Sequence, residues 1–160
     1  IFIYLFFTGR MYANAGINLI YFFTNAFGWY NWSRKKNEEH VVTITRNTSR
    51  QNWLIIGFAI VFYVAVLLLL RWYNRADAAY LHSSMPWMDA LNSSLFLCAT
   101  ILMTIKKLEN WHFWIAGNVV SIPIFLIQGF YFTSFQYAVF LVLALSGLSL
   151  WRKKAKTPNP

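Results

Sequence analysis

A stretch of 42 residues without a single Asp, Glu, Lys or Arg, residues 110–151, constrains this chain more than any other feature. About 20 apolar residues cross a bilayer as an α-helix, so the stretch is too long for one span and has the length of two. A polar residue followed by glycine, Gln128-Gly129, interrupts it, and such a pair favours a turn between helices. The sequence therefore predicts two membrane helices, over 110–128 and 130–151.

Three further apolar stretches have the length of a span: residues 11–32, 53–70 and 86–105. Residues 1–9 supply about half a span. Because irregular backbone cannot face lipid, all of these segments are expected to be helices, and no alternation typical of barrel strands is present. We predict an all-α membrane protein with five complete transmembrane helices and the end of a sixth. Since the chain opens inside an apolar run, we expect that an N-terminal piece is missing.

The composition agrees with a bilayer as the main solvent. The chain is 58% hydrophobic and only 12% charged, whereas soluble domains carry about 25% charged residues. A net charge of +9 would suggest nucleic-acid binding in a soluble protein. Here the basic residues lie between the apolar stretches, as they do in membrane proteins, so we predict no nucleic-acid partner. The histidines and the single cysteine are scattered, so neither a metal site nor a cofactor is expected.

The basic residues are divided unequally between the two sides of the predicted bundle. If successive loops alternate sides, three of the fourteen basic residues lie on one side and all the others on the opposite side. The three are Arg10, Arg71 and Arg75. The positive-inside rule places the richer side in the cytoplasm. We therefore predict a cytoplasmic loop at 33–52, an outer loop at 71–85 and a cytoplasmic tail at 152–160.

An internal repeat is suggested when the chain is shifted by 119 residues. The shift aligns Gly28 with Gly147 and Trp32 with Trp151. Both copies have an apolar span, a glycine, a tryptophan four residues later and then a basic cluster. Repeats of this kind are common in transporters.

The repeat leads to a specific architecture. We interpret 86–151 as a second three-helix unit and 1–32 as the remainder of a first. One linking helix, 53–70, would make the two units parallel, because three helices alone reverse the direction of the chain. The prediction is a 3+1+3 bundle whose first helix and part of the second are missing.

Several strings resemble the PnuC-type vitamin transporter family. They are Phe27-Gly-Trp-Tyr-Asn-Trp32, Trp87-Met-Asp89, Ala99-Thr-Ile-Leu-Met, and the string Lys106-Lys-Leu-Glu-Asn-Trp-His-Phe-Trp-Ile with Asn118. The resemblance covers residues from about 1 to 154. It implies a bacterial inner-membrane protein that takes up nicotinamide riboside, an NAD precursor, by facilitated diffusion. It also implies a SWEET-like 3+1+3 fold and a homotrimer. Relatives are linked to thiamine and riboflavin, and Asn18 stands where the family commonly has Gln, so these vitamins remain alternative substrates.

The predicted helix that begins at Asn110 offers candidate binding residues. Trp111, Trp114 and Asn118 are spaced i, i+3, i+7 and so share one helix face. Indole rings can stack on a base, an amide can bond to a hydroxyl or carboxamide, and a pyridinium ring would add a cation–π interaction of about 0.5–2 kcal/mol. The alternative is that Trp111 anchors the helix at the interface and Asn118 bonds a neighbouring helix.

The span 11–32 offers a second set of polar residues on one face. Asn18, Tyr21 and Asn25 have the same i, i+3, i+7 spacing. The repeat pairs Asn18 with Tyr137, so we expect these four residues to line a central cavity together with Trp114 and Asn118. Asp89 is the one acid inside a predicted span, and intramembrane acids are costly and commonly functional. It could attract a cationic substrate at the entrance, or be a helix-start acid near the positive end of the dipole.

Three other functions compete with passive transport of a small molecule. A membrane enzyme is disfavoured because the spans contain no acid–base cluster, no nucleophile–base pair and no phosphate-binding glycine loop. A non-transporting assembly subunit would not account for the two polar faces. An ion-coupled carrier would need more than the one acid that the spans contain.

Overall fold

The computed structural model describes residues 12–36, 39–40 and 43–156, and within them the helices are joined by loops and one short hairpin. The helices are α1 (Tyr12–Ser33), α2 (Ser49–Tyr73), α3 (Ala78–His82), α4 (Met85–Thr104), α5 (Asn110–Ile127) and α6 (Tyr131–Lys156). The strands β1 (Lys35–Lys36) and β2 (Glu39–His40) pair antiparallel. The predicted all-α class is confirmed. The half-span expected at 1–9 lies outside the described residues.

Local sequence signals account for where the helices begin and end. Thr48 caps α2 through a capping box, since its hydroxyl accepts from the backbone N–H of Gln51 and the Gln51 side chain accepts from the Thr48 N–H. Pro86 lies in the first turn of α4, where its missing N–H costs nothing. Helices α5 and α6 separate at Gln128-Gly129, where Gly129 adopts a φ of +78°.

The structure differs from the sequence prediction at three boundaries. Helix α2 starts four residues before the predicted span because the capping box lies upstream of the apolar run. A short helix, α3, forms inside the predicted loop 71–85, where Asp77 accepts from the backbone N–H of Tyr80 at 3.0 Å. Helix α6 continues past Trp151 to Lys156, and basic side chains favour the negative end of a helix dipole.

Helix α4 lies at the centre of the described bundle. It packs against α1, α2 and α5, while α6 packs against α5. Small side chains such as Ala90, Ser94 and Cys98 are buried along α4, which lets neighbouring helices approach closely. The hydroxyl of Ser94 donates to the carbonyl of Ala59 at 2.7 Å and so joins α4 to α2.

The outer surface of the bundle is apolar, as a lipid-facing surface should be. Helix α2 contacts the rest of the bundle on one side, and its other faces leave Trp53 74% and Val61 70% exposed. Among the described helices, α2, α5 and α6 are long and apolar enough to cross a membrane by length and composition.

The loop before α2 crosses the loop between α4 and α5. The backbone of Thr45 donates to the carbonyl of Lys106 at 3.1 Å and accepts from the N–H of Leu108 at 2.9 Å. The Asn47 N–H donates to the carboxylate of Glu109 at 2.9 Å. These bonds join the start of α2 to the turn that connects α4 and α5, on the side where α1 ends.

Candidate functional site

A cavity of about 360 Å³ lies between the C-terminal parts of α1 and α4 and the first half of α5. Its volume is in the range of small-molecule sites, which are mostly apolar with a few polar groups. The lining residues are Tyr21, Thr24, Asn25, Gly28, Trp29 and Trp32 of α1, Thr100, Met103 and Thr104 of α4, and Trp114 of α5. We call this space the α1–α4 cavity.

One face of α1 forms most of the wall of the α1–α4 cavity. Each of its six lining residues has another lining residue three or four positions away, as expected for a single helix face. They include Tyr21 and Asn25, so the structure brings together two polar residues that the sequence placed on this face. Gly28 lets α1 approach α4 closely, because a Cβ at this position would lie 3.2 Å from Cγ2 of Thr104.

Hydrogen bonds close the α1–α4 cavity where the two helices end. The amide of Asn31 donates to the carbonyl of Thr104 at 2.9 Å. The indole N–H of Trp32 is shared between the carbonyls of Met103 and Thr104, each at 3.2 Å. These carbonyls belong to the last turn of α4, which has no partners for them inside the helix. The end of α1 therefore caps the end of α4.

A cation covers the same end of the cavity. The ammonium of Lys106 lies 5.0 Å from the centroid of the Trp32 ring, within the range of a cation–π interaction. Partial burial lowers the pKa of Lys106. The Trp32 ring also approaches Trp151 of α6, with 6.1 Å between centroids, so residues that the repeat aligns lie side by side.

Trp114 is the tryptophan of α5 that borders the α1–α4 cavity. Its ring packs on Phe96, with 5.3 Å between centroids and a 38° tilt. Its indole N–H is buried and has no hydrogen-bond acceptor among the described residues. A buried donor without an acceptor costs about 1–3 kcal/mol, so this N–H is a candidate to bond a ligand.

The other two residues of the predicted α5 face lie away from the cavity border. Asn118 is 2% exposed. Trp111 packs against α6 instead, where its ring meets Trp151 edge-on at 5.4 Å and fills the space beside Gly147. The Trp111 indole N–H is also buried and lacks an acceptor among the described residues.

Tyr137 lies in an aromatic stack behind Trp114 rather than on the cavity wall. Its ring is nearly parallel to Phe125 at 5.2 Å and to Phe96 at 6.1 Å. Asn18 belongs to α1, and its side chain lies outside the described residues.

Asp89 lies in the first turns of α4, far from the α1–α4 cavity. Its carboxylate accepts a hydrogen bond of 3.0 Å from the phenol of Tyr80 in α3. Burial raises the pKa of Tyr80, and the neighbouring charge and hydrogen bond of Asp89 raise it further. Tyr80 therefore stays protonated and remains a donor at physiological pH.

Sequence reasoning missed most of the cavity residues contributed by α1 and α4. Gly28, Trp29 and Trp32 lie in the string that carried the family resemblance, so that string was a signal for the site and not only for the family. Thr100 and Thr104 gave no comparable signal, because a threonine in an apolar span commonly bonds its own helix, as the Thr100 hydroxyl does to Phe96. Among the described residues, no three His, Cys, Asp or Glu side chains could together hold a metal ion.

Comparison with known proteins supplies the family. The sequence model of the nicotinamide mononucleotide transporter family matches residues 1–153. The nicotinamide riboside transporter PnuC of Escherichia coli K12 is 29% identical over 170 residues, which cover 95% of this chain and 71% of the relative. The riboflavin/roseoflavin transporter RibM of Streptomyces davaonensis is 27% identical over 147 residues, covering 91% and 66%.

A solved structure shares the fold. The crystal structure of the vitamin B3 transporter PnuC aligns with a TM-score of 0.65 at 22% identity, covering 97% of this chain and 68% of that one. The relatives are transporters of small molecules, in agreement with a multi-pass membrane protein that is not an enzyme. With the family model matching nearly the whole chain, this protein belongs to the nicotinamide mononucleotide transporter family.

Proposed function

We propose that this protein takes up nicotinamide riboside across the bacterial inner membrane by facilitated diffusion, with the α1–α4 cavity as its binding site. The observation that carries the proposal is a cavity of about 360 Å³ that is bordered by Trp114, whose buried indole N–H has no acceptor among the described residues. The opposite wall of that cavity is built from the family string that contains Gly28 and Trp32.

The cavity residues have the chemistry that such a substrate needs. The Trp114 ring offers a face for the pyridinium ring, and stacking on an aromatic side chain contributes roughly 1–3 kcal/mol per base. The Tyr21 hydroxyl and the Asn25 amide can bond ribose hydroxyls or the carboxamide. None of the described residues that line the cavity is acidic, so attraction of the cationic ring there depends on aromatic faces.

The remaining candidates are proposed to meet the substrate along its path. Asn18 shares the helix face of Tyr21 and Asn25, while Trp111 and Asn118 share that of Trp114. Tyr137 lies in the aromatic stack with Phe96 and Phe125, next to Trp114.

Asp89 has a different proposed role, at the outer entrance. Its carboxylate is joined to Tyr80 and would attract a cation before it reaches the aromatic residues. Because this attraction is between charges, the effect of Asp89 on the rate of entry should fall as salt increases.

A 3+1+3 architecture with parallel repeats is the proposed context of the site. On this proposal 1–32 and 86–151 are the repeats, and α2 is the linking helix. The proposal is supported by the contact of Trp32 with Trp151. This contact joins the ends of α1 and α6 that the repeat makes equivalent. We further propose that the protein assembles as a homotrimer.

The proposed orientation has the C-terminus, the loop 33–52 and the tail 152–160 in the cytoplasm. The support is the charge distribution, since the described basic residues of α6 and of the turn at Lys106 cluster at one end of the bundle. A reporter that is active only in the cytoplasm, fused after Pro160, should be active. Activity of a periplasm-only reporter at the same position would reverse the orientation.

Riboflavin or thiamine is the second candidate substrate. The RibM relative favours riboflavin, although it is less similar than the nicotinamide riboside transporter. A non-transporting assembly subunit accounts less well for a cavity with polar groups in a family of transporters.

Uptake into proteoliposomes tests both the substrate and the mechanism. The purified protein should bring labelled nicotinamide riboside to the external concentration and no further, without response to a protonophore or a sodium gradient. Riboflavin and thiamine serve as competitors. Accumulation above the external concentration would refute facilitated diffusion, and competition by riboflavin alone would establish the second candidate.

A further inference from the structure

A short chain of hydrogen bonds joins α4 to α5 outside the α1–α4 cavity. The side-chain amide of Asn92 donates to the hydroxyl of Ser121 at 2.7 Å. That hydroxyl donates in turn to the carbonyl of Gly117, one turn earlier in α5, at 2.8 Å. Ser121 is fully buried, so the chain lies inside the helix bundle.

This chain fixes the orientation of the Asn92 amide. A serine hydroxyl has one proton, and Ser121 gives it to Gly117. Ser121 can therefore only accept from Asn92, which directs the N–H₂ group of Asn92 toward α5 and its carbonyl oxygen away from Ser121. That oxygen is buried and has no donor among the described residues.

The unpaired oxygen lies on the helix face that leads to the cavity. Asp89, Asn92, Phe96 and Thr100 follow one another at intervals of three or four residues and so share a face of α4. Thr100 borders the α1–α4 cavity, and Asn92 lies eight residues earlier, about 12 Å along the helix. Phe96 lies between them and packs on Trp114.

We propose that Asn92 forms an outer subsite for the transported molecule, in which its carbonyl oxygen accepts a hydrogen bond from a ribose hydroxyl or a carboxamide N–H. The inference rests on the proposed function, because it assumes a polar nucleoside that moves along this face of α4. Asp89 and Asn92 then present two acceptors in succession to a substrate rich in donors. Phe96 separates this outer subsite from the cavity below.

An acceptor held in place and left unpaired suits a transient contact. An unpaired buried acceptor costs free energy in the empty protein, and a passing donor recovers that cost. The orientation is set by Ser121 before the substrate arrives, so the Asn92 amide itself requires little ordering on binding.

The test combines variants of Asn92 with analogues of nicotinamide riboside that each lack one donor. The analogues lack one ribose hydroxyl or replace the carboxamide by a methyl ketone. Asn92→Leu should weaken binding of the parent substrate about 5- to 20-fold. It should have no further effect on the analogue that lacks the group bonded to Asn92. If Asn92→Leu weakens binding of every analogue except one, the group that this analogue lacks is the one that contacts Asn92.

Two further variants and one control keep the result interpretable. Asn92→Ser covers the case in which leucine prevents folding, and Ser121→Ala, which leaves the oxygen but frees its orientation, should weaken binding less than Asn92→Leu. Asn47→Leu is the control, because Asn47 also has an unpaired side-chain atom but lies in the loop before α2. It should bind as the parent does.

The outcomes separate this proposal from the function on which it rests. If the unsubstituted protein binds neither nicotinamide riboside nor another vitamin of the panel, the proposed function fails and the outer subsite with it. If the protein binds nicotinamide riboside and the Asn92 variants weaken all analogues equally, or none, only the outer subsite is overturned. Asn92 is then a helix-packing residue.

Discussion

The two glycines that precede a tryptophan by four residues, Gly28 in α1 and Gly147 in α6, are used in different ways. A Cβ at Gly147 would lie 2.3 Å from the ring of Trp111, whereas a Cβ at Gly28 would lie 3.2 Å from a methyl group of Thr104. The space beside Gly147 is filled by an indole. The helix face that contains Gly28 borders a cavity of about 360 Å³.

This difference indicates where the bundle is rigid and where it can admit a ligand. Close packing of α5 on α6 places a large aromatic side chain against bare backbone, which tolerates no added volume. Helix α1 contacts α4 through Gly28, Asn31 and Trp32, and its face between Tyr21 and Trp32 borders the α1–α4 cavity. We therefore expect added volume between α5 and α6 to lower stability, and loss of the Trp114 ring that borders the α1–α4 cavity to weaken binding.

The largest effect should come from adding one methyl group between α5 and α6, at Gly147. Gly147→Ala forces the Trp111 ring to move, and overpacking of this kind costs typically about 1–3 kcal/mol. The Tm measured by thermal unfolding in detergent should fall clearly below that of the parent. Adding Trp111→Phe to Gly147→Ala should restore part of it, because the smaller ring makes room.

The control for this substitution is on the lipid-facing helix. Gly57 has no atom within 4 Å of an added Cβ, so Gly57→Ala should leave stability unchanged or raise it by about 0.5–1 kcal/mol through helix propensity. Equal losses from Gly57→Ala and Gly147→Ala would show that the contact with Trp111 is not what limits α6.

The second effect concerns binding in the α1–α4 cavity. Trp114→Ala should weaken nicotinamide riboside binding roughly 10- to 100-fold, because stacking contributes about 1–3 kcal/mol. Trp114→Phe keeps a ring and loses the N–H, so it should lie between the parent and the alanine variant. Titration of the folded, detergent-solubilised protein measures both. Unchanged affinity in Trp114→Ala would remove the cavity from the proposed path.

The order and type of the helices could be predicted from the sequence because lipid imposes one requirement on every span. Long uncharged runs must be helical, and Gln128-Gly129 was a recognisable break. The extension of α2 to Ser49 and the helix α3 were not predicted, because both depend on caps, from Thr48 and Asp77, that lie outside the apolar runs.

The candidate site was harder to predict, because helical spacing identifies a face but not the neighbour that it meets. Trp111 and Trp114 share a face of α5, yet one packs on α6 and the other borders the cavity. Gly28 and Gly147 look alike in the sequence, and their different roles depend on the partner helices. Thr104 lines the cavity only because the end of α1 folds onto the end of α4.

A smaller effect should distinguish the two tryptophans that the repeat aligns. Trp32→Phe removes an indole N–H that is shared by two carbonyls at the end of α4, and a hydrogen bond of this kind contributes about 0.5–1.5 kcal/mol. Trp151 donates no hydrogen bond among the described residues, so Trp151→Phe should cost less. The free energies of unfolding of the two single variants are compared under identical conditions. Equal losses of stability would indicate that only the packing of the two rings matters, and not the Trp32 hydrogen bond.

The smallest effect is expected at Gly28, and it tests the contrast most directly. An added Cβ at 3.2 Å from Cγ2 of Thr104 requires a shift of a few tenths of an ångström. The cost of that shift is offset by the gain of about 0.5–1 kcal/mol from replacing glycine in a helix. The free energy of unfolding of Gly28→Ala should therefore lie within about 1 kcal/mol of that of the parent. The methyl group is directed at Thr104, so substrate affinity should change less than about threefold. Parallel unfolding of Gly28→Ala, Gly147→Ala and Gly57→Ala should therefore rank the three positions by the space beside each glycine. A loss at Gly28 as large as that at Gly147 would mean that α1 is held as tightly as α6, and that α1 cannot move aside to admit a substrate.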